Sequence, residues 1–351
     1  MDRAPRTDVD LRHVAALTDD TGIFQHAYFG VPDPHHGYCT DDNARALIVA
    51  VRARACGLAL PDRVDPMRYL AFLRAAFDPA RGVLRNFLGW DRRWREDEGS
   101  EDAQARGVWA LAEAAAQRDD PVLAEAAGAL FDAALPRIAR LEALRARAFA
   151  ILALARRTDE RPDGHAAGIL RRHAAALEDA FRVASGPGWA WFEDAVTYDN
   201  GRLPQALLAA SAALDARRWR DVGLEALRFL LDGQTGPGGV LKLVGNRGWW
   251  RRGSRPAPFD EQPLEPAALV EACLLAARIT GDRAWRAEAE RCHRWYHGGN
   301  VLGLSLYDPH TGGCFDGLEP DGVNRNRGAE ATLSLALSAL ALRAGVREPA
   351  R

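Results

Sequence analysis

Six stretches of the chain share one pattern: a short polar cluster, then a run that is apolar on every side of a helix. The clusters are Thr40 to Arg45, Ser100 to Arg106, Arg145 to Arg147 (the weakest), Thr197 to Arg202, Phe259 to Glu265, and Asn324 to Glu330. The runs behind them are Ala46 to Val51, Gly107 to Ala116, Ala148 to Ala155, Leu203 to Leu214, Pro266 to Ala277, and Ala331 to Arg343. Successive clusters begin 45 to 65 residues apart, which leaves room for a second helix and a loop in each repeat. The intervening helices have a single apolar stripe. Asp282 to Tyr296 places Trp285, Ala289, Cys292 and Tyr296 at helical spacing, and Asp119 to Leu135 and Asp221 to Leu231 read alike. A helix apolar all round is buried, whereas one with a single stripe lies outside. Six of each, alternating, predict an all-α (α/α)6 barrel: a parallel inner ring with outer helices running back between its members.

The connections agree with that topology. Segments from an outer helix to the next inner helix are long and rich in Gly, Trp, Asn and Asp, as in Gly82 to Gly99, Ser185 to Tyr198, Gly233 to Pro258 and Gly298 to Arg327. The opposite turns are short, as in Ile279-Thr280-Gly281-Asp282. All the long loops then gather on one face and build one funnel, where function tends to collect. No composition break divides the chain, so a single domain over 1–351 is expected. No GxGxxG follows a strand-like run, which argues against a dinucleotide-binding half.

Composition strengthens the helical reading. The chain is 48% hydrophobic, rich in Ala and Leu, and Lys242 is its single lysine. A net charge of -2 over 46 basic and 48 acidic residues argues against nucleic-acid binding through a broad basic surface. Nothing approaches the ~20 uncharged apolar residues of a membrane span, and Met1 to Asp10 has no apolar run of secretory type. Five cysteines without CxxC spacing suit small buried thiols in a reducing compartment, so a cytoplasmic location is expected. His26, His35, His36 and Cys39 cluster ahead of the first inner run, but their irregular spacing makes a poor metal site. Neither metal nor cofactor is expected.

The chemistry lies at the starts of the inner helices. Asp41, Asp42, Glu101, Asp102, Asp199, Asp260, Glu261, Glu265 and Glu330 all come to one mouth, with Glu193 and Asp194 just upstream of the fourth start. One carboxylate per helix is ordinary capping. Two or more on several helices raise one another's pKa, which general-acid chemistry needs. Arg45, Arg106, Arg147 and Arg202 follow these acids by three to five residues and are expected to pair with them. Six tryptophans, Trp90, Trp94, Trp189, Trp191, Trp249 and Trp250, fall in the long loops with Tyr38, Phe192, Tyr198 and Phe259. Trp109, Trp219, Trp285 and Trp295 fall on helices, where they pack. Aromatic faces in an acidic cleft are what pyranose rings stack on.

The stretches HGYCTDDNARAL, WAWFEDAVTYDNGRLPQALL, FDEQPLEPAALVEA and DGVNRNRGAEATLS resemble a bacterial family of the six-hairpin glycosidase superfamily, over about Tyr28 to Leu342. Members of that family are often fused or adjacent to glycosyltransferases, which implies such an enzyme as a partner in the same pathway. The superfamily includes glycoside hydrolases, unsaturated glucuronyl hydrolases and sugar epimerases.

The leading expectation is a glycoside hydrolase acting on an oligo- or polysaccharide, one carboxyl protonating the leaving oxygen and another serving as base or nucleophile. Its catalytic candidates are Glu261 as general acid, Asp42 or Asp199 as base, with Glu101, Asp102 and Glu330. Substrate-binding candidates are Asp41, Arg45, His36, Tyr38, Trp90, Trp191, Glu193, Tyr198, Trp249, Trp250, Asp260 and Asn326. The resemblance implies an inverting outcome. Two other readings stay open: a sugar epimerase or isomerase, against which counts the lack of His in the six motifs, and a non-catalytic glycan-binding module serving a glycosyltransferase.

Overall fold

The computed structural model describes residues 8–160 and 164–347. The first seven residues of the Met1–Asp10 stretch, and the two ends of a 1–351 domain, lie outside the described residues. Among the described residues twelve α-helices follow one another: α1 (Arg12–Leu17), α2 (Thr40–Ala55), α3 (Pro66–Ala76), α4 (Glu101–Ala115), α5 (Pro121–Ile138), α6 (Leu144–Glu160), α7 (Gly164–Ala184), α8 (Arg202–Leu214), α9 (Arg217–Gly233), α10 (Leu264–Thr280), α11 (Ala284–Arg294) and α12 (Ala329–Arg347). The even-numbered helices pack each on the next, and α12 packs on α2 to close the ring. Outer helices α3, α5, α7, α9 and α11 lie against α2, α4, α6, α8 and α10, while short α1 lies against α12. This is the (α/α)6 barrel that the hydrophobic pattern predicts.

The two rings differ as burial demands. In α9 the buried residues are Trp219, Gly223, Leu224, Ala226, Leu227, Leu230 and Leu231, a single stripe at three- and four-residue spacing. In α10 burial is nearly continuous from Leu264 to Ala276. Small side chains let the inner helices approach. A Cβ on Gly201 would stand 2.7 Å from the backbone carbon of Ala268, so a larger residue there would push α8 off α10. Side chains stop and start the helices: Ser100 Oγ accepts from the Ala103 amide at 3.2 Å, Asp120 Oδ1 accepts from the Leu123 amide at 3.1 Å ahead of Pro121, and Gly281 ends α10 in the left-handed region.

The long connections gather at the N-terminal ends of the inner helices and carry five two-stranded antiparallel ribbons, which the helix-only reading of the sequence did not anticipate. Residues 38–39 pair with 87–88 and 195–196 with 250–251, stitching successive loops together, while 317–319 folds back on 322–324 as a hairpin within one loop. No helix among the described residues is long and apolar enough to cross a membrane.

Candidate active site

Asp41 and Asp42 occupy the first turn of α2, where free amides favour negative charge. Consecutive helical residues point about 100° apart, so the two carboxylates reach opposite neighbours in the ring. Asp41 faces α4, where Arg106 donates to it at 3.1 Å. Asp42 faces α12: Arg45, three residues on, donates to Asp42 Oδ1 at 2.9 Å and to Glu330 Oε2 at 2.8 Å. The Cys39 thiol, at the cap of the same helix, donates to Asp42 Oδ2 at 3.1 Å. Asp42 is only 5% exposed. Burial pushes its carboxyl up; Arg45 opposes that and Glu330 adds to it, leaving the group at about 6. On the next inner helix, burial also raises Asp102, against the Tyr198 hydroxyl that donates to it at 2.6 Å and against Arg106. Asp41, Asp102 and Glu330 are partly exposed.

Beneath this mouth an ion-pair ladder descends the barrel axis. Arg106 also donates to Asp199 Oδ2 at 3.1 Å, with its guanidinium 4.0 Å above the Phe149 ring of α6. Asp199 pairs at 3.4 Å with Arg202 of α8, which donates to Glu271 of α10. Glu271 also accepts from Arg52 of α2, which reaches Glu113 of α4 at 2.5 Å. Burial alone would raise Glu271, but Arg52 and Arg202 outweigh it and bring it down to about 2. Glu265 accepts from the backbone amides of Asp199 and Asn200; burial, reinforced by Asp199, raises it to about 7.

Several sequence-derived candidates stand elsewhere. Glu261 is 0% exposed: its Oε2 accepts from Trp295 Nε1 at 2.7 Å, its backbone bridges to Leu318, and burial raises it to about 7. Its side chain lies in the interior, while Asp260 beside it is partly exposed. Its high pKa is that of a fully buried group tied to Trp295, and in this structure Glu261 does not stand with the carboxylates that share Arg45 and Arg106. Asp199, 1% exposed and held between two arginines, is a strut of the ladder rather than a free base. Glu101 turns outward and accepts from the amides of Glu142 and Ala143 at 2.8 and 2.7 Å, just ahead of α6. Of the four arginines expected to pair with acids, Arg147 does not; it donates to the Glu142 carbonyl at 2.9 Å and meets His173 Nδ1 at 3.2 Å. Its neighbour Arg145 takes that part, donating to Glu193 and to Thr197 Oγ1, each at 2.7 Å.

The aromatic candidates divide differently from the sequence expectation. Trp191 is fully buried, against Phe192 and Phe229. Trp250 stacks on Phe229 at 5.1 Å and meets Trp189 edge-on at 5.2 Å, and Trp249 is packed on the same core. Trp94 meets Phe72 at 5.7 Å, and buried Tyr38 stacks on Phe24 while its hydroxyl donates to Asp19 at 2.5 Å. These rings anchor loops because burying a large ring is worth more than exposing it. Trp90 remains 64% exposed, and Tyr198 is exposed above Asp102 with the Arg145 guanidinium 4.7 Å from its ring. Asn326 Oδ1 accepts from the Phe29 amide at 2.9 Å, which fixes a loop. Asp260 is raised by burial and by Glu319, and has a buried Oδ1 without a hydrogen-bond partner. His36, half exposed, lies 4.4 Å ring to ring from His26.

Three contributors had no signal in the sequence as read. Asp316 accepts from the Gly328 amide at 2.6 Å and is raised by burial to about 6. The Cys39 thiol and Glu271 look in sequence like a small core residue and a lone acid within the apolar run Pro266 to Ala277.

No protein-family model matches the chain, and no curated protein matches it. Solved structures share its fold. A sugar epimerase from a ruminal bacterium is 12% identical, with a TM-score of 0.75 covering 97% of this chain and 96% of that one. The cellobiose 2-epimerase of Bacillus thermoamylovorans is 13% identical, with a TM-score of 0.74 over 97% and 96%. The alpha-1,6-mannanase of Salegentibacter is 15% identical, with a TM-score of 0.64 over 95% and 96%. An inactive variant of that mannanase, with alanine at two consecutive aspartate positions, is in complex with alpha-1,6-mannotetrose. The chain therefore shares the (α/α)6-barrel fold of these carbohydrate-active proteins.

Proposed function

We propose that the chain is a carbohydrate-active enzyme, and specifically a glycoside hydrolase, working at the mouth formed by α2, α4 and α12. The observation that carries this reading is the consecutive pair Asp41–Asp42, whose second member is buried and raised to about 6 while the first faces the opening. Asp42, protonated in a large fraction of molecules near that pH, protonates the glycosidic oxygen. Asp41 or Glu330, each salt-bridged and partly exposed, supplies the second carboxylate. That a variant of the mannanase with two consecutive aspartates replaced is inactive supports placing the chemistry on a consecutive aspartate pair. Tyr198, Glu193 and Asp260 border the opening and contact sugar hydroxyls. The whole chain serves this one site as a single domain.

A second reading, a sugar epimerase or isomerase, is favoured by one observation: His26 and His36 form a pair 4.4 Å apart, with His26 close enough to Glu330 to feel its charge. Incubating the protein with alpha-1,6-mannooligosaccharides, cellobiose and mannose in heavy water distinguishes the two. New reducing ends that disappear in Asp42→Asn support the hydrolase, and proton NMR of the first product reads its anomer. Deuterium at the sugar C2 without cleavage overturns it in favour of the epimerase.

A further inference from the structure

Residues 27–32 form a two-stranded hairpin whose root is tied to the mouth on both sides. The Gln25 carbonyl accepts from the Ala329 amide, at the start of α12 beside Glu330, at 2.9 Å. The Gln25 amide donates to the Gly37 carbonyl, just ahead of α2, at 3.0 Å. The hairpin therefore rises between the two helices that hold Asp42, Arg45 and Glu330.

Its register is Ala27 opposite Pro32 and Tyr28 opposite Val31. Side chains alternate across a strand, and directly opposed residues share a face. Ala27 is buried, whereas Tyr28 is 70% and Val31 66% exposed. An isolated hairpin would be mobile, but this one is clamped at its tip. The Phe29 amide donates to Asn326, and the Phe29 carbonyl accepts from the Arg327 amide at 2.8 Å. Phe29, at positive φ, is capped by the Arg325 guanidinium 5.3 Å away and meets Tyr28 edge-on at 4.8 Å. Among the described contacts, the Tyr28 hydroxyl makes no hydrogen bond. An exposed aromatic and an exposed apolar side chain are thus held in solvent on a hairpin whose root joins the starts of α12 and α2 and whose tip rests on α1 and the 311–327 loop.

We infer that Tyr28 and Val31 form an outer subsite for a neutral sugar unit lying beyond the one at Asp42, so that the ligand is a chain longer than a disaccharide. This rests on the hydrolase reading and narrows its substrate to oligo- or polysaccharide. Covering the two apolar side chains with a sugar face removes apolar surface from water, so the unit should add several-fold to affinity.

Titration calorimetry on the full chain carrying Asp42→Asn tests it, with alpha-1,6-mannobiose and mannotetraose, and cellobiose and cellotetraose, as probes. In one of the two series the tetrasaccharide should bind several-fold more tightly than the disaccharide. Adding Tyr28→Ala or Val31→Ser should erase most of that gain, with circular dichroism unchanged. Equal affinity for both lengths, or a gain that survives both substitutions, overturns the subsite while leaving the mouth chemistry standing. Failure to bind either length in either series overturns the subsite, and turnover of these sugars by the unsubstituted chain then reports separately on the hydrolase reading.

Discussion

The mouth and the axis of the barrel are built from the same two residue types and behave oppositely. Along the axis, Glu271 lies between two arginines from different helices, and their charge outweighs its burial. At the mouth, Arg45 serves Asp42 and Glu330 together, while Arg106 is shared by Asp41 and Asp199. Asp42 meets one arginine where Glu271 meets two, so burial wins there and Asp42 and Asp102 rise. Charge stoichiometry, more than depth, separates a strut from a proton donor.

The sharpest break between the regions is Asp42→Asn. Loss of a proton donor should lower turnover about 100- to 10,000-fold, while the thermal midpoint changes little, since Arg45 keeps Glu330. A fully active Asp42→Asn protein would remove Asp42 from the chemistry. Glu271→Gln should do the reverse. Leaving Arg52 and Arg202 short of a buried counter-charge costs roughly 3–5 kcal/mol of stability, measured by urea unfolding.

A pH series of unfolding sharpens the contrast. Glu271 has a folded pKa of about 2 against an ordinary 4.5, so its contribution is complete above 4.5 and is lost as pH falls toward 2. Glu261 runs the other way: held near 7, it keeps its proton when folded and releases it when unfolded, so stability falls as pH rises from about 4.5 to 7. Glu261→Gln should flatten that slope and retain turnover; loss of turnover in a folded Glu261→Gln protein would restore it to the mechanism. The smallest effect belongs to Tyr198→Phe. Removing a hydrogen bond worth about 0.5–1.5 kcal/mol should raise Asp102 further and weaken sugar binding a few-fold, read as a rise in KM with kcat little changed.

Much of the scaffold was legible because period and burial are local properties. Ala- and Leu-rich runs behind acidic clusters could bury themselves only as inner helices, and the striped runs between them only as outer ones. Residues Thr40 to Arg45 could be placed at a helix start from their chemistry alone. The site was legible only as a set. Asp41, Asp42, Asp102 and Glu330 do meet at one mouth, but the same rule of acids at helix starts included Glu101 and Glu261, which the chain turns elsewhere. Glu101 serves the next turn's amides, and Glu261 lies in the interior, its backbone bridged to Leu318, over fifty residues away. The tryptophans misled for a related reason: a loop in sequence is not a surface in space, and Trp191 and Trp250 fill the gap between loops and Phe229 of an outer helix.

By itself the sequence determined the repeat, the two classes of helix and the face on which polar residues gather, because these follow from hydrophobic periodicity and connection length. Only the tertiary structure decided which carboxylate keeps its proton. That depends on how many arginines reach each acid from other helices and how much water remains around it, and both are set by packing between residues far apart in the chain.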